Sequence, residues 1–274
     1  MNCRTAVTAA VATMAMAALL AGCSSLRPAP ADLGDLLPTP LLLVGELHDA
    51  PEHQALQRDT VQQLARRGEL AALVLEMVEQ GRRVSRTGPD VTEAEVRAAL
   101  DWRDDINAGA WPWSVYGPVV MAAVHSGVPV FGGNLPRERM REVMQETTLD
   151  ALLPPPELER QREAIRNGHC GLLPETQIAP MTRIQLARDR AMAQTAVDVL
   201  QPGRTVLLVA GNGHVLRDIG VPRHLPPGQA FRVVAALSED AGSALSPTQA
   251  DRIWVTAARP PRDPCAELRS KTPG

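Results

Sequence analysis

Two glutamates and two histidines stand where a folded sheet would gather them. Glu46 and His48 lie in Gly45-Glu46-Leu47-His48-Asp49, directly after the apolar run 41–45. Glu76 follows the apolar run 71–75, and His214 closes Gly211-Asn212-Gly213-His214 after the run 205–210. A further run, 128–131, leads into Gly132-Gly133-Asn134, with Arg137 and Glu138 just beyond. In an extended backbone, residues two apart point to the same side, so Glu46 and His48 would face one ligand. Crowded carboxylates and imidazoles shift each other's pKa and can serve as acid and base. Glu46, His48, Glu76 and His214 could equally hold Zn²⁺ or another divalent ion, leaving a position for water. On a hydrolytic reading, His48 or Glu46 activates water, while His214 or Arg137 stabilises the developing negative charge. Glycines at 45, 211 and 213 let the backbone turn sharply and approach a ligand closely.

A second set of residues could bind a flat ligand. Aromatics make up 3% of the chain, yet Trp102, Trp111, Trp113 and Tyr116 fall together. Their rings offer stacking surface to a planar molecule, or they form a small core beneath a helical layer. Tyr116 could also be an axial haem ligand. His169, in His169-Cys170-Gly171, follows a helix that ends at Asn167-Gly168. If Cys170 is cross-linked, His169 is held in place and could face a ligand. Gln185, Arg188, Asp189 and Met192 recur at three- and four-residue spacing and share one helix face. That face either looks into the site or is solvated and carries a salt bridge.

The elements that must position these residues follow from the apolar runs. Short continuous runs suit strands buried on both faces. Segments 51–67, 92–100, 114–125, 136–147, 156–167 and 179–200 read as helices, and 231–236 and 253–256 as two further strands. Strands alternating with helices predict an α/β fold: a mostly parallel sheet with helices on both faces. Stretches 79–125 and 136–200 exceed a single crossover and predict an inserted helical cap layer. In such sheets ligands bind outside the carboxyl ends of the strands, where the polar residues above are found.

The N-terminal residues address the chain to a membrane. Arg4, an uncharged run 6–20 and Leu20-Ala21-Gly22-Cys23 read as a signal peptide, 1–22, ending in a lipobox-like site. Cleavage before Cys23 and its lipidation would leave a tether, 23–38, a domain, 39–268, and a tail, 269–274. Acyl chains at one residue anchor firmly, at about 0.8 kcal/mol per buried CH₂. Ser24 favours the outer membrane by analogy with Gram-negative lipoproteins. Of four cysteines, Cys3 leaves with the leader and Cys23 is lipidated, so Cys170 and Cys265 are expected to pair. Closing a loop of roughly 100 residues would stabilise by about 4–5 kcal/mol; two free buried thiols are the alternative. A net charge of −3 argues against a general nucleic-acid binder.

Taken together, several of these stretches resemble the ChaN family of haem-binding lipoproteins, which is grouped with the Tiki, TraB and erythromycin-esterase proteins. They are Gly45-Glu46-Leu47-His48-Asp49, Glu76, Asn134-Leu135-Pro136-Arg137, Gly211-Asn212-Gly213-His214, His169-Cys170-Gly171-Leu172-Leu173-Pro174, the stretch from Gln185 through Asp189 to Met192-Ala193, and Asp263-Pro264-Cys265. The resemblance runs from about residue 41 to 265. It implies an envelope lipoprotein that binds haem between two subunits and works in iron uptake with outer-membrane transport machinery. It also implies that residues matching Glu46, His48, Glu76 and His214 are the catalytic or metal-binding set in hydrolytic members of the wider group. No short motif carries over a haem ligand. The expected haem-binding residues are Tyr116 first and His169 second, with Trp113, Gln185 and Arg188 around them.

Overall fold

Six parallel strands and one antiparallel edge strand form a single sheet in this computed structural model, which describes residues 33–104, 111–240, 245–261 and 263–271. The leader, Cys23 and the first part of the tether lie outside the described residues. The strands are β1 (Leu41–Glu46), β2 (Leu70–Glu79), β3 (Arg83–Val84), β4 (Val130–Asn134), β5 (Thr205–Gly211), β6 (Arg232–Ser238) and β7 (Arg252–Thr256). Their order is β3-β4-β2-β5-β1-β6-β7, with only β3 antiparallel. The expected α/β architecture is therefore the observed one. Strands β1, β2 and β5 lie side by side at its centre and are almost wholly buried, as their unbroken apolar runs require.

The helices are α1 (Pro51–Arg66), α2 (Glu93–Ala99), α3 (Trp113–His125), α4 (Met140–Val143), α5 (Pro155–Gly168), α6 (Glu175–Asp198), the single turn α7 (Asn212–Val215) and α8 (Pro264–Lys271). Helix α1 starts with Pro51 at a position that tolerates the missing N–H. Helix α2 starts with a capping box between Thr92 and Glu95.

Side-chain alternation divides the core. Leu42 and Val44 of β1, Leu73 and Leu75 of β2, and Leu207 and Val209 of β5 pack on one face with Leu56, Val61 and Leu64 of α1 and Val119, Val120 and Val124 of α3. Leu41, Leu43, Val74, Leu208 and Ala210 pack on the other face with Met192, Ala193 and Ala196 of α6. A third cluster, around Leu149, Leu158, Ile184 and Leu186, gives the layer of α4, α5 and α6 a core of its own. Cys170 and Cys265 are joined by a disulfide that ties the α5–α6 turn to α8. No described helix is long and apolar enough to cross a membrane.

One boundary differs from the sequence reading in a way that matters. Strand β2 does not stop at Glu76 but runs on to Glu79, with a shift of register against β4 between Leu75 and Glu79. An irregularity of this kind re-aims side chains without ending the strand.

Candidate functional site

The same alternation decides which layer each carboxylate meets. Glu46 follows Leu42 and Val44 and so faces α1 and α3. Glu76 follows Val74 and so faces α6. In the parallel register, Glu46 of β1 lies level with Gly211 of β5. The two acids thus sit at one end of the sheet on opposite faces.

Glu46 is buried and fully occupied. Its Oε1 accepts from His48 Nδ1 at 2.6 Å and from the Tyr116 hydroxyl at 2.6 Å. Its Oε2 accepts from Gln54 Nε2 at 2.6 Å and from Gln57 Nε2 at 2.5 Å, both on α1. With four donors on it, Glu46 cannot also take a proton from water. It is a positioning residue that fixes the His48 tautomer and leaves Nε2 free. This corrects the expectation that Glu46 itself activates water. Burial opposes a charge on His48, but the bond from Glu46 and the nearby Glu76 charge outweigh it and raise the imidazole pKa.

The α6 face carries a matching pair. His214 Nδ1 donates to Asp189 Oδ1 at 2.6 Å, and its Nε2 lies 3.5 Å from Glu76 Oε1. His48 Nε2 lies 3.9 Å from Glu76 Oε2, which also accepts from the Gly211 N–H at 2.7 Å. Both imidazoles therefore turn Nε2 toward one buried carboxylate. Burial would raise the Glu76 pKa, yet His214, His48, the Gly211 N–H and Arg188 together bring it below the ordinary range. Burial pushes Asp189 up to about 6 against the pull of His214. His214 rises to about 9, because Glu76 and Asp189 outweigh its burial. Near neutral pH the pair is an imidazolium on a carboxylate. Gly211 makes the approach feasible, since a Cβ there would stand 2.8 Å from His48 Nε2.

Above these groups lies a cleft of about 650 Å³, lined by His48, His214 and Tyr116 below and by Trp111, Gln161, Ala164, Ile165 and Gln185 around it. A second, smaller cavity of about 320 Å³ is lined by Glu76, Asn134, Arg137 and Arg188 among others, and Trp111 borders both. Arg137 thus lines the smaller cavity, where it leans on Glu79 at 3.9 Å, and not the larger cleft that His214 lines. Gln185 and Arg188 each line one of the two from the same face of α6.

The aromatic expectations divide. Trp113 is buried and lies edge-on to Trp102 at 5.0 Å, its indole covering Gly117, so it is core and offers no face to a ligand. Trp111 is the ring at the cleft, 4.4 Å from His48 and 5.8 Å from Tyr116. Tyr116 is 1% exposed, and burial together with Glu46 drives its phenol pKa far up. An axial haem ligand of this type must give up its proton and reach the metal, so Tyr116 as packed does not fit that role. His169 caps α5, one turn beyond Ile165. Its Nδ1 donates to the Ile165 carbonyl at 2.9 Å, which leaves Nε2 as the lone-pair nitrogen. It is not among the residues lining the cleft.

Among the described residues no three His, Cys, Asp or Glu side chains are placed to hold a metal ion, so the divalent-ion expectation finds no support. Glu46 is saturated, and each histidine spends Nδ1 on a carboxylate. Sequence reasoning missed Asp189 as the partner of His214 and Gln54 and Gln57 as donors to Glu46; it named Trp111 within the aromatic cluster but singled out Trp113 for the ligand. Asp189 had a signal, its place on the polar stripe of α6. The glutamines had a weaker one, two amides three residues apart just past the site loop.

Comparison with known proteins agrees with this architecture. The family model described as haem-binding uptake, Tiki superfamily, ChaN matches residues 33–225. Among solved structures, ChaN of Campylobacter jejuni, described as binding haem cofacially, is 22% identical with a TM-score of 0.62. The match covers 81% of this chain and 89% of that one. An erythromycin esterase EreC mutant is 13% identical at a TM-score of 0.41, covering 73% of this chain and 70% of its own. The type III effector HopBA1 is 13% identical at 0.43, covering 80% and 87%. No curated protein matches the chain.

Proposed function

We propose, from the premise that this chain belongs to the ChaN haem-binding uptake family of the Tiki superfamily, that it is a lipid-anchored haem receptor of the bacterial envelope. The observation that carries the reading is the 650 Å³ cleft, walled by Trp111 and the apolar residues Ala164 and Ile165 of α5. Such a concave, partly apolar site suits a flat ligand. His169, one turn along α5 with its Nδ1 on the Ile165 carbonyl, would be the residue that holds the haem iron through Nε2. The Cys170–Cys265 disulfide next to it holds that turn against α8. When bound, haem supplies the iron that uptake would deliver. Two copies meeting over their clefts would bring two haems together, as the description of the Campylobacter protein suggests. Cys23 is the proposed lipidation site and the outer membrane the proposed location. Haem transport machinery there would be the partner.

Hemin added to purified protein should give a saturable, shifted Soret band. His169→Ala should alter its position and weaken binding, while Tyr116→Phe leaves the band in place. A missing band sinks the haem reading. A band moved by Tyr116→Phe and indifferent to His169→Ala sinks the ligand assignment. Palmitate labelling lost in Cys23→Ser tests the anchor.

A second reading has its own observation: two imidazoles that line the cleft, each held at Nδ1 by a carboxylate and both with Nε2 toward the buried Glu76. In an acid–base hydrolase of an ester or amide, His48 would take the proton of water and the His214 imidazolium would steady the developing oxyanion. Hydrolysis of a panel of esters, abolished by His48→Ala, would support it. A panel without turnover removes it.

A further inference from the structure

One buried histidine takes no part in the pairs at the cleft. His53, in the first turn of α1, is 0% exposed and is not among the residues lining the cleft. Its Nδ1 accepts from the Leu47 N–H at 2.9 Å, and its Nε2 meets Thr256 Oγ1 of β7 at 3.1 Å. A backbone N–H can only donate, so Nδ1 is the bare nitrogen and Nε2 carries the proton. The Thr256 hydroxyl accepts that proton and donates onward to the Leu237 carbonyl of β6 at 3.3 Å. Only the neutral ring, in this one tautomer, satisfies both neighbours.

Leu47 stands between Glu46 and His48. Its carbonyl is held as well, by the Ala50 N–H at 3.1 Å and by Gln54 Nε2 at 3.4 Å. Both peptide groups that lead from Glu46 to His48 are therefore pinned from the first turn of α1 and the turn before it. The first of them depends on a side chain that titrates.

We propose that His53 is a positioning residue: it holds the Leu47 peptide, and through it the direction in which His48 enters the cleft. It lets go when its ring takes a second proton. That proton would sit on Nδ1 and face the Leu47 N–H, two donors against each other. Glu46 and Asp49 of the site loop and the Leu237 carbonyl favour the charged ring. Burial, with Arg259 beside it, opposes the charge more strongly and lowers the pKa below 6.5. The contact is thus complete above pH 6.5 and is lost as pH falls through the lower native value. The consequence for binding rests on the reading of the cleft beside His48 as the functional site; the contact itself does not.

Nitrogen-15 spectra of the histidine rings and the Leu47 amide, recorded across pH on the purified chain, test this with no ligand present. At about pH 8 the His53 ring should carry its proton on Nε2. On acidification below 6.5 the Leu47 amide should move upfield as its hydrogen bond is lost. The His48 ring should respond in that same step, apart from its own protonation at higher pH. His53→Gln, whose amide can accept from Leu47 and donate to Thr256, should keep the neutral position and abolish the acid step. His53→Phe should show the acid position at every pH. A proton on Nδ1 at about pH 8, or an acid step that survives His53→Gln, overturns the proposal. If His53→Phe does not fold, the wild-type ring and His53→Gln decide the matter. Hemin then reads the consequence: His53→Phe should bind at least about threefold more weakly than wild type near neutral pH, and His53→Gln as tightly. Equal affinity in all three overturns the link from His53 to the cleft. A wild type that binds no hemin removes the haem reading, and the amide and ring spectra still judge His53.

Discussion

Glu46 holds His48, and Asp189 holds His214, each through Nδ1 at 2.6 Å, yet the two carboxylates are supported in opposite ways. Glu46 also accepts from Tyr116, Gln54 and Gln57, whereas Asp189 Oδ2 is buried with no partner. Hydrogen bonds to the charged form hold a buried carboxylate ionised, and burial without them favours its proton. Glu46 therefore serves as a fixed acceptor with no lone pair to spare. Asp189, pushed up to about 6, takes part in titration. A histidine–carboxylate contact of given length does not by itself tell what the carboxylate does; the number of other donors on it does.

The largest effect that could break this comparison comes from Glu46→Ala. It strands three neutral donors and an imidazole, and loss of stability should reach about 3–5 kcal/mol in urea unfolding. Asp189→Asn should cost visibly less, since one oxygen already lacks a partner; equal costs would erase the distinction.

Next in size is the response to alkali. His214 is raised from 6.5 to about 9, so the native state holds more protons than the unfolded chain across that window. Its contribution is fully present below pH 6.5 and is lost as pH rises through about 9, on the order of 3 kcal/mol. Asp189, raised from 3.8 to about 6, acts with the same sign at lower pH. His214→Gln should flatten the alkaline slope of the melting temperature. A slope that survives this substitution places the titration elsewhere.

A smaller change sharpens the Glu46 side. Tyr116→Phe removes one of four donors and should cost roughly 1–2 kcal/mol. The smallest contrast is between two glycines of one motif. Gly213→Ala meets no atom within 4 Å and should shift stability by less than about 0.5 kcal/mol. Gly211→Ala must displace His48 and should be felt in hemin affinity as well as in stability. If both are silent, His48 is looser than its contacts imply.

Much of the frame was legible in the residues. The runs ahead of Glu46 and Gly211 are strands because a sheet buried on both faces leaves no polar position within them. Parallel strands put their carboxyl ends on one rim, so Glu46, His48, Glu76 and His214 could be expected near one another before any coordinates. The Trp102–Tyr116 cluster was harder. Two tryptophans two residues apart read alike, and only the start of α3 at Trp113 turns that ring inward and leaves Trp111 at the cleft. Tyr116 likewise offered no sign that its hydroxyl would be given to a residue 70 positions away.

By itself the sequence determined the order of strands and helices, the polar groups at the strand ends and the two cysteines free to join. Those follow from local patterns of apolar residues, glycines and counts. Which lone pairs remain available was decided only by tertiary structure. Alternation sends Glu46 to α1 and α3 and Glu76 to α6, and the donors waiting there come from distant segments. Chemistry at a buried carboxylate depends on every group that touches it, and those groups are set by packing rather than by neighbours in the chain.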